Sequence, residues 1–176
     1  MFSDPKNNIE QFHIDPGMSV ADFGAGSGFY ALALSEAVGE SGKVYTIDIQ
    51  KDLLNHLKTE TESKGITNIE IIWGDLDEPK GTTLKDQSVD RVVIANTFFQ
   101  LENKDAAVEE ARRVLKRNGK LLLIDWTDSF SGLGPQSGDV VKPDVARTIF
   151  ESEGFVYDRD IKAGANHYGI VFKKHE

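Results

Sequence analysis

VADFGAGSGFY, residues 20–30, sets Gly24, Gly26 and Gly28 at alternate positions behind an acid, Asp22, and ahead of an apolar run. Three residues without Cβ within five positions cost backbone entropy. A chain keeps such a turn where φ must be positive or where another group approaches the backbone too closely for a side chain.

Either side of the turn, the pattern changes period. MSVADF (18–23) reads as a short buried strand, and YALALSEAV (30–38) has the length and propensity of a helix, stopped by Gly39. The alternation then repeats. KVYTIDI (43–49) is a β-branched strand, and KDLLNHLKTETESKG (51–65) is a helix with Leu53, Leu54 and Leu57 on one face. IEIIWGD (69–75) and DRVVIAN (90–96) are the third and fourth strands. KDAAVEEARRVLKRNG (104–119) reads as a helix carrying Ala107, Val108, Ala111, Val114 and Leu115 on one stripe, followed by KLLLID (120–125) as the fifth strand. KPDVARTIFESEG (142–154) opens with proline and closes with glycine, as helices do. FVYDRDIK and HYGIVFKK are separated only by AGAN, which suits a hairpin and not a crossover. The expected fold is therefore α/β, a doubly wound Rossmann-like sheet of seven strands, mostly parallel, with an antiparallel last strand. One domain is expected over residues 1–176, its core at about 18–173.

Composition narrows the function. A net charge of −9 argues against a broad nucleic-acid surface, which needs clustered Lys and Arg. No apolar run reaches the ~20 residues of a membrane helix. The opening MFSDPKNNIE lacks the basic-then-apolar pattern of a secretory leader, so a cytoplasmic location is expected. The absence of cysteine excludes disulfides, thiolate metal sites and cysteine nucleophiles, and no metal ligands are assigned.

In doubly wound folds a ligand lies beyond the carboxyl ends of the strands, where the turn after the first strand comes closest to it. Three acids stand at three successive strand ends here. A dinucleotide fingerprint, G-x-G-x-x-G, would place its third glycine where Phe29 stands; in this chain it falls one residue earlier, at Gly28. Asp22 would repel a pyrophosphate and attract an amino group. Asp48, 20 residues beyond Gly28, stands where a carboxylate accepts from both ribose hydroxyls, and Asp75 could accept from an adenine amine. The set suits a ligand with an ammonium at one end, a ribose in the middle and adenine at the other.

At these residues the chain resembles the class I S-adenosylmethionine-dependent methyltransferases, in particular the small ubiquinone/menaquinone-biosynthesis-like branch. DFGAGSG looks like their motif I, implying that Asp22, Gly24, Ala25, Gly26 and Gly28 hold the amino-acid part of S-adenosyl-L-methionine. IDI, with Asp48 and Ile49, is similar to the ribose-binding strand end, GDL, with Asp75 and Leu76, to the adenine clamp, and ANTFFQL, with Asn96, to the fourth-strand end. ARRVLKRNGKLLLID is similar to the helix and strand that follow, with Lys116, Arg117, Asn118 and Gly119 as the intervening turn. The resemblance implies methyl transfer by in-line displacement to a small-molecule acceptor. Two alternatives stand beside it: a nicotinamide-dependent oxidoreductase, and a non-catalytic cofactor-binding module that acts with a partner.

Only 17 residues precede the first strand, so the N-terminal cap that often closes the substrate pocket in this family is expected to be short or missing. A homo-oligomer or partner protein would then complete the pocket. The Gly- and Ser-rich stretch 127–141 is expected to act as a mobile lid. For catalysis, the inserted last strand should bring His167 and Tyr168 beside Asp125 and Trp126. Neighbouring strand residues face opposite sides of a sheet, so only one of the two can point to the pocket. If it is His167, a hydrogen bond from its ring N–H to Asp125 would fix its tautomer and make it a proton acceptor.

Overall fold

A computed structural model describes residues 3–176. In chain order the elements are α1 (Pro5–Phe12), β1 (Ser19–Phe23), α2 (Phe29–Val38), β2 (Lys43–Asp48), α3 (Lys51–Ser63), β3 (Ile69–Trp73), β4 (Val89–Ala95), a 3₁₀ turn (Phe98–Gln100), α4 (Lys104–Val114), β5 (Leu115–Trp126), α5 (Pro143–Ser152), β6 (Phe155–Ile161) and β7 (His167–Lys174). They build a seven-stranded sheet in the order β3-β2-β1-β4-β5-β7-β6. β7 runs antiparallel to both of its neighbours, and the remaining pairs are parallel. The sequence order reverses between β1 and β4, so the carboxyl edge opens a crevice beside the glycine turn.

Alternation along the strands divides the core between two faces. Ala21, Phe23, Val92, Ile94, Leu121, Leu123, Ile170 and Phe172 face α4 and α5, where Phe150 stacks on Phe172 with ring centroids 4.5 Å apart. Val20, Val44, Val93, Leu122 and Val171 face α1 and α2, against Ile9, Phe12, Leu34 and Val38. Leu54 and Leu57 of α3 pack on Ala31. Phe98 is wholly buried against Phe150, at 5.3 Å, and belongs to the core.

Two elements depart from expectation. α4 stops at Val114, and β5 begins at Leu115, whose backbone is already extended and pairs with Val89. Because Arg91 next pairs with Lys120, the Lys116–Gly119 segment bulges out of the ladder, with Asn118 at φ 61°. Leu115 is buried as expected, but as a strand residue. The other departure is α1, an eight-residue helix where no element was expected, which forms the short cap. Asp4 caps it, accepting from the Lys6 and Asn7 N–H groups, and Pro5 occupies its first turn.

α1 is fastened to the rest by polar contacts. Asn8 is fully buried; its amide donates to the Tyr30 hydroxyl at 2.9 Å, the Ser3 hydroxyl at 2.9 Å and the Ala163 carbonyl at 3.3 Å. Gln11 donates to the Lys162 carbonyl and accepts from the Lys162 N–H, both at 3.0 Å, and its own carbonyl accepts from Arg159 at 2.8 Å. The helix thus bridges α2 to the β6–β7 hairpin. Removing the Asn8 amide leaves buried acceptors without their donor, so Asn8→Ala should lower stability by ~1–3 kcal/mol. A shifted urea midpoint checks this; an unchanged midpoint would mean that the contacts do not hold α1.

Candidate functional site

Parallel pairing of β1 with β2 places Asp22 beside Thr46 and Phe23 beside Ile47. The glycine turn leaves β1 at that point and is gripped by the end of β2. The Gly24 and Ala25 N–H groups both donate to the Ile47 carbonyl, at 2.8 and 2.9 Å, and the Gly26 N–H donates to Asp48 Oδ2 at 3.0 Å. All three glycines have positive φ: 90°, 50° and 82°. Their surroundings differ. A Cβ on Gly24 would collide with the Thr97 side chain, and one on Gly28 would lie 2.6 Å from Leu57 Cδ1. A Cβ on Gly26 would meet nothing among the described residues within 4 Å. The turn is therefore packed at both ends and open in its middle, toward the cleft.

Two adjoining cavities form that cleft. One, of about 310 Å³, is lined by the turn from Gly24 to Ser27, by Tyr30, and by Asn96 and Thr97 beyond β4. The other, of about 150 Å³, is lined by Ile49, Asp75, Leu76 and Leu101. Gly24, Asp48, Gln50, Thr97 and Gln100 border both. Gly24, Ala25, Gly26, Asp48, Ile49, Asp75, Leu76 and Asn96 are thus brought to one cleft. Gly28 and Asp22 lie behind it, the first against Leu57 and the second beneath the turn. Thr46, Thr97, Tyr30 and Gln100 belong to the site without having been singled out; no residue-type pattern marks them, since pairing register and the turn after β4 bring them there.

The two ends of the cleft differ in polarity. At the wider end Asn96 holds φ 55°, its N–H donates to the Ile124 carbonyl at 2.9 Å, and its buried Oδ1 has no partner among the described residues. At the narrower end Ile49, 52% exposed, offers an apolar surface beside buried Leu76. Asp75 Oδ1 accepts from the Asp77 N–H at 2.9 Å, which shapes the turn after β3. Asp48 accepts from Gly26 and, at 2.8 Å, from the Gln50 N–H, and remains on the cleft wall.

Asp22 is 1% exposed; Oδ2 accepts from the Thr46 hydroxyl at 3.0 Å, and Oδ1 has no partner among the described residues. Burial pushes its pKa up to about 7; the Thr46 hydrogen bond works against that, and the Asp48 charge adds to it.

The expected Asp125–His167 dyad does not form. Across the β5–β7 ladder Asp125 pairs with Tyr168, and Trp126 with His167. Directly paired residues share a face, so Asp125 and His167 stand on opposite sides of the sheet. Asp125 instead accepts from the Phe99 and Trp126 N–H groups, each at 2.9 Å, and so ties the 3₁₀ turn after β4 to β5. Burial pushes its pKa up to about 7, against those two hydrogen bonds and the Lys104 charge. Tyr168 faces α4 and α5; its hydroxyl donates to the Val141 carbonyl at 2.9 Å, and burial pushes its ionisation well above the usual phenol range. It anchors the end of the 127–141 stretch. That stretch also folds over Trp126: Gly134 has no room for a Cβ against the indole, and Phe130 lies 6.2 Å away between ring centroids.

His167 takes its tautomer from elsewhere. Nδ1 faces the Ala165 carbonyl at 2.9 Å, an acceptor only, so the proton belongs on Nδ1. Nε2 is then a bare acceptor, buried and without a partner among the described residues, while the ring lies 4.3 Å from that of Trp126.

A methyltransferase-domain family model matches residues 14–148. The chain is 32% identical to the ubiquinone/menaquinone biosynthesis C-methyltransferase UbiE of Bordetella avium (strain 197N), over 72% of its own length and 48% of that protein's. It is 28% identical to the demethylmenaquinone methyltransferase of Oceanobacillus iheyensis, over 68% and 49%. The chain spans about half the length of these curated relatives. A crystal structure of a SAM dependent methyltransferase from Aquifex aeolicus superposes with a TM-score of 0.89 at 31% identity, over 98% of this chain and 90% of that one.

Asp22 carries a sign that separates binding from stability. Its pKa is raised above the ordinary 3.8, so the folded state holds the proton more tightly and stability falls as pH rises from about 4 to about 7. Asp22→Asn should therefore stabilise the ligand-free protein at pH 8 by ~1–3 kcal/mol and flatten that decline. Chemical denaturation at pH 5 and pH 8 checks it; a variant less stable than the parent at pH 8 would contradict it.

Proposed function

The chain belongs to the methyltransferase-domain family, on the ubiquinone/menaquinone-biosynthesis-like branch of the class I S-adenosylmethionine-dependent methyltransferases, and on that premise we propose that it methylates a small-molecule acceptor from S-adenosyl-L-methionine held in the carboxyl-edge cleft. The observation that carries this is the glycine turn, fixed at both ends by Thr97 and Leu57 and open at Gly26 beside Asp48. The residues present fit that cofactor. Asp48 holds the Gly26 and Gln50 N–H groups and keeps acceptor capacity for the ribose hydroxyls. Ile49 and Leu76 would cover the faces of a flat base, and Asp75 would accept at its edge. Among the described residues Asn96 Oδ1 and Asp22 Oδ1 lack donors, which an ammonium would supply. When bound, the cofactor supplies a methyl group activated on a sulfonium.

The chain's own part is alignment, exclusion of water and custody of a proton. The names of these relatives, a C-methyltransferase of ubiquinone/menaquinone biosynthesis and a demethylmenaquinone methyltransferase, point to a carbon atom of a quinone-biosynthesis intermediate as the acceptor, and a carbon acceptor must give up a proton. His167 serves as its acceptor, with Nδ1–H held by Ala165 and Nε2 bare. Asp125 and Tyr168 are assigned to holding the 3₁₀ turn and the 127–141 stretch. α1, docked through Asn8 and Gln11, acts as the cap, and Ser3, Pro5 and Tyr30 bring it to the cleft.

The test is to incubate the protein with cell extract and deuterated-methyl cofactor, then search for small molecules heavier by the labelled methyl. A labelled quinone-type product is expected. Intact cofactor binding with no labelled product would favour the non-catalytic module. Asp48→Ala should weaken cofactor binding by ~1.5–3 kcal/mol, read by titration calorimetry; unchanged affinity would leave Asp48 a cap for the turn alone. His167→Ala should lower turnover by ~10²-fold with cofactor affinity kept. Equal turnover would remove His167 from the chemistry.

A further inference from the structure

Asp22 differs from the other acids of the site in what surrounds it. Asp48 and Asp75 border the cleft and accept backbone N–H groups. Asp22 lies beneath the turn with one hydroxyl partner and one bare oxygen. Among the described residues, the groups packed around it offer no compensating cation. β2 presents the Thr46 hydroxyl and, at its end, the Asp48 carboxylate, and both charge and burial oppose ionisation. α2 presents Tyr30, whose hydroxyl is engaged by Ser3 and Asn8 and whose own ionisation is pushed up, first by burial and further by the Asp22 and Asp4 charges. β4 presents Val93 as its paired neighbour and Ala95 beyond it, both apolar. α1 contributes Asn8, a neutral amide, by way of Tyr30.

A buried carboxylate with that company and no cation is held as the neutral acid while the site lacks a positive ligand. Resting on the cofactor reading above, we propose that Asp22 is a proton-exchanging counter-ion, releasing its proton as the ammonium of the cofactor's amino-acid end binds and regaining it as the spent cofactor leaves. The balance is simple. The Asp22 acid and a ligand ammonium become a carboxylate–ammonium pair, and one proton passes to solvent. No bond in the ligand changes.

The exchange gives cofactor binding a pH dependence of known sign. Below the midpoint of the ligand-free acid, near 7, binding must expel the proton, so affinity falls by up to about tenfold per pH unit as the medium becomes more acidic. Above it, no proton remains to expel. S-Adenosylhomocysteine keeps the ammonium and lacks the sulfonium, so it obeys the same rule. 5′-Methylthioadenosine carries the adenosine end without the amino acid and leaves Asp22 protonated.

The experiment is titration calorimetry of the full chain with S-adenosylhomocysteine at pH 6 and pH 7, each in two buffers of different ionisation enthalpy, repeated with 5′-methylthioadenosine. The expected result is release of close to one proton at pH 6 and about half a proton at pH 7 with S-adenosylhomocysteine, and none with 5′-methylthioadenosine. Asp22→Asn should bind more weakly and with buffer-independent heat. His167→Ala and Asp125→Asn should each keep the full release, which leaves Asp22 as the source even if its own variant fails to fold. Buffer-independent heat in the parent, equal release with both ligands, or loss of release in His167→Ala or Asp125→Asn would overturn the proposal while leaving the cofactor reading standing. Failure of the parent to bind S-adenosylhomocysteine would overturn both.

Discussion

The carbonyl of Ile47 accepts two hydrogen bonds from a different strand's exit turn, and the site is arranged around that double contact. By taking the Gly24 and Ala25 N–H groups together, it forces the chain leaving β1 to bend across the end of β2. Asp48, the next residue, then meets the Gly26 N–H. Such a bend needs left-handed backbone at three alternate residues, which is the physical reason for Gly24, Gly26 and Gly28. Thr97 presses on the turn at one end and Leu57 at the other, so the path is over-determined everywhere but at Gly26. What the packing leaves open is the cleft.

At the carboxyl edge Asp22 and Asp125, each 1% exposed, solve the same problem differently. Asp125 is compensated by two backbone N–H groups and joins the 3₁₀ turn to β5. Asp22 receives a single hydroxyl and keeps a bare oxygen. Burial raises the pKa of both to about 7, so a raised pKa alone does not tell a structural carboxylate from one that faces a ligand. The count of donors does. A buried acceptor with no donor is a standing cost to the folded state, and a cost of that kind is retained where a ligand relieves it.

The sheet, its antiparallel last strand and the gathering of Asp48 and Asp75 at the carboxyl-edge cleft were legible because they rest on local signals: period, glycine spacing, and acids at strand ends. The Asp125–His167 pairing was not, because it turns on register. A one-residue offset across the β5–β7 ladder decides which of His167 and Tyr168 shares a face with Asp125, and no local pattern records that offset. α1 was missed for another reason. Asp4 followed by Pro5, with Ile9 and Phe12 three apart, is a legible helix start, but eight residues are too few to be stable alone and owe their order to Asn8 and Gln11. The bulge at Lys116–Gly119 escaped because Leu115 is apolar and buried whether it ends a helix or begins a strand.

If the glycine turn and the three strand ends form one ligand-binding surface, the backbone amides of Gly24, Gly26, Gly28, Asp48, Asp75 and Asn96 respond together to a ligand bearing both adenosine and an amino acid. A ¹H–¹⁵N correlation spectrum recorded with and without S-adenosylhomocysteine, and again with NAD, measures this directly. The account predicts that those amides shift together on addition of S-adenosylhomocysteine and stay in place with NAD. Shifts with NAD alone, or shifts with S-adenosylhomocysteine that fall outside the carboxyl edge of β1, β2, β3 and β4, would contradict it.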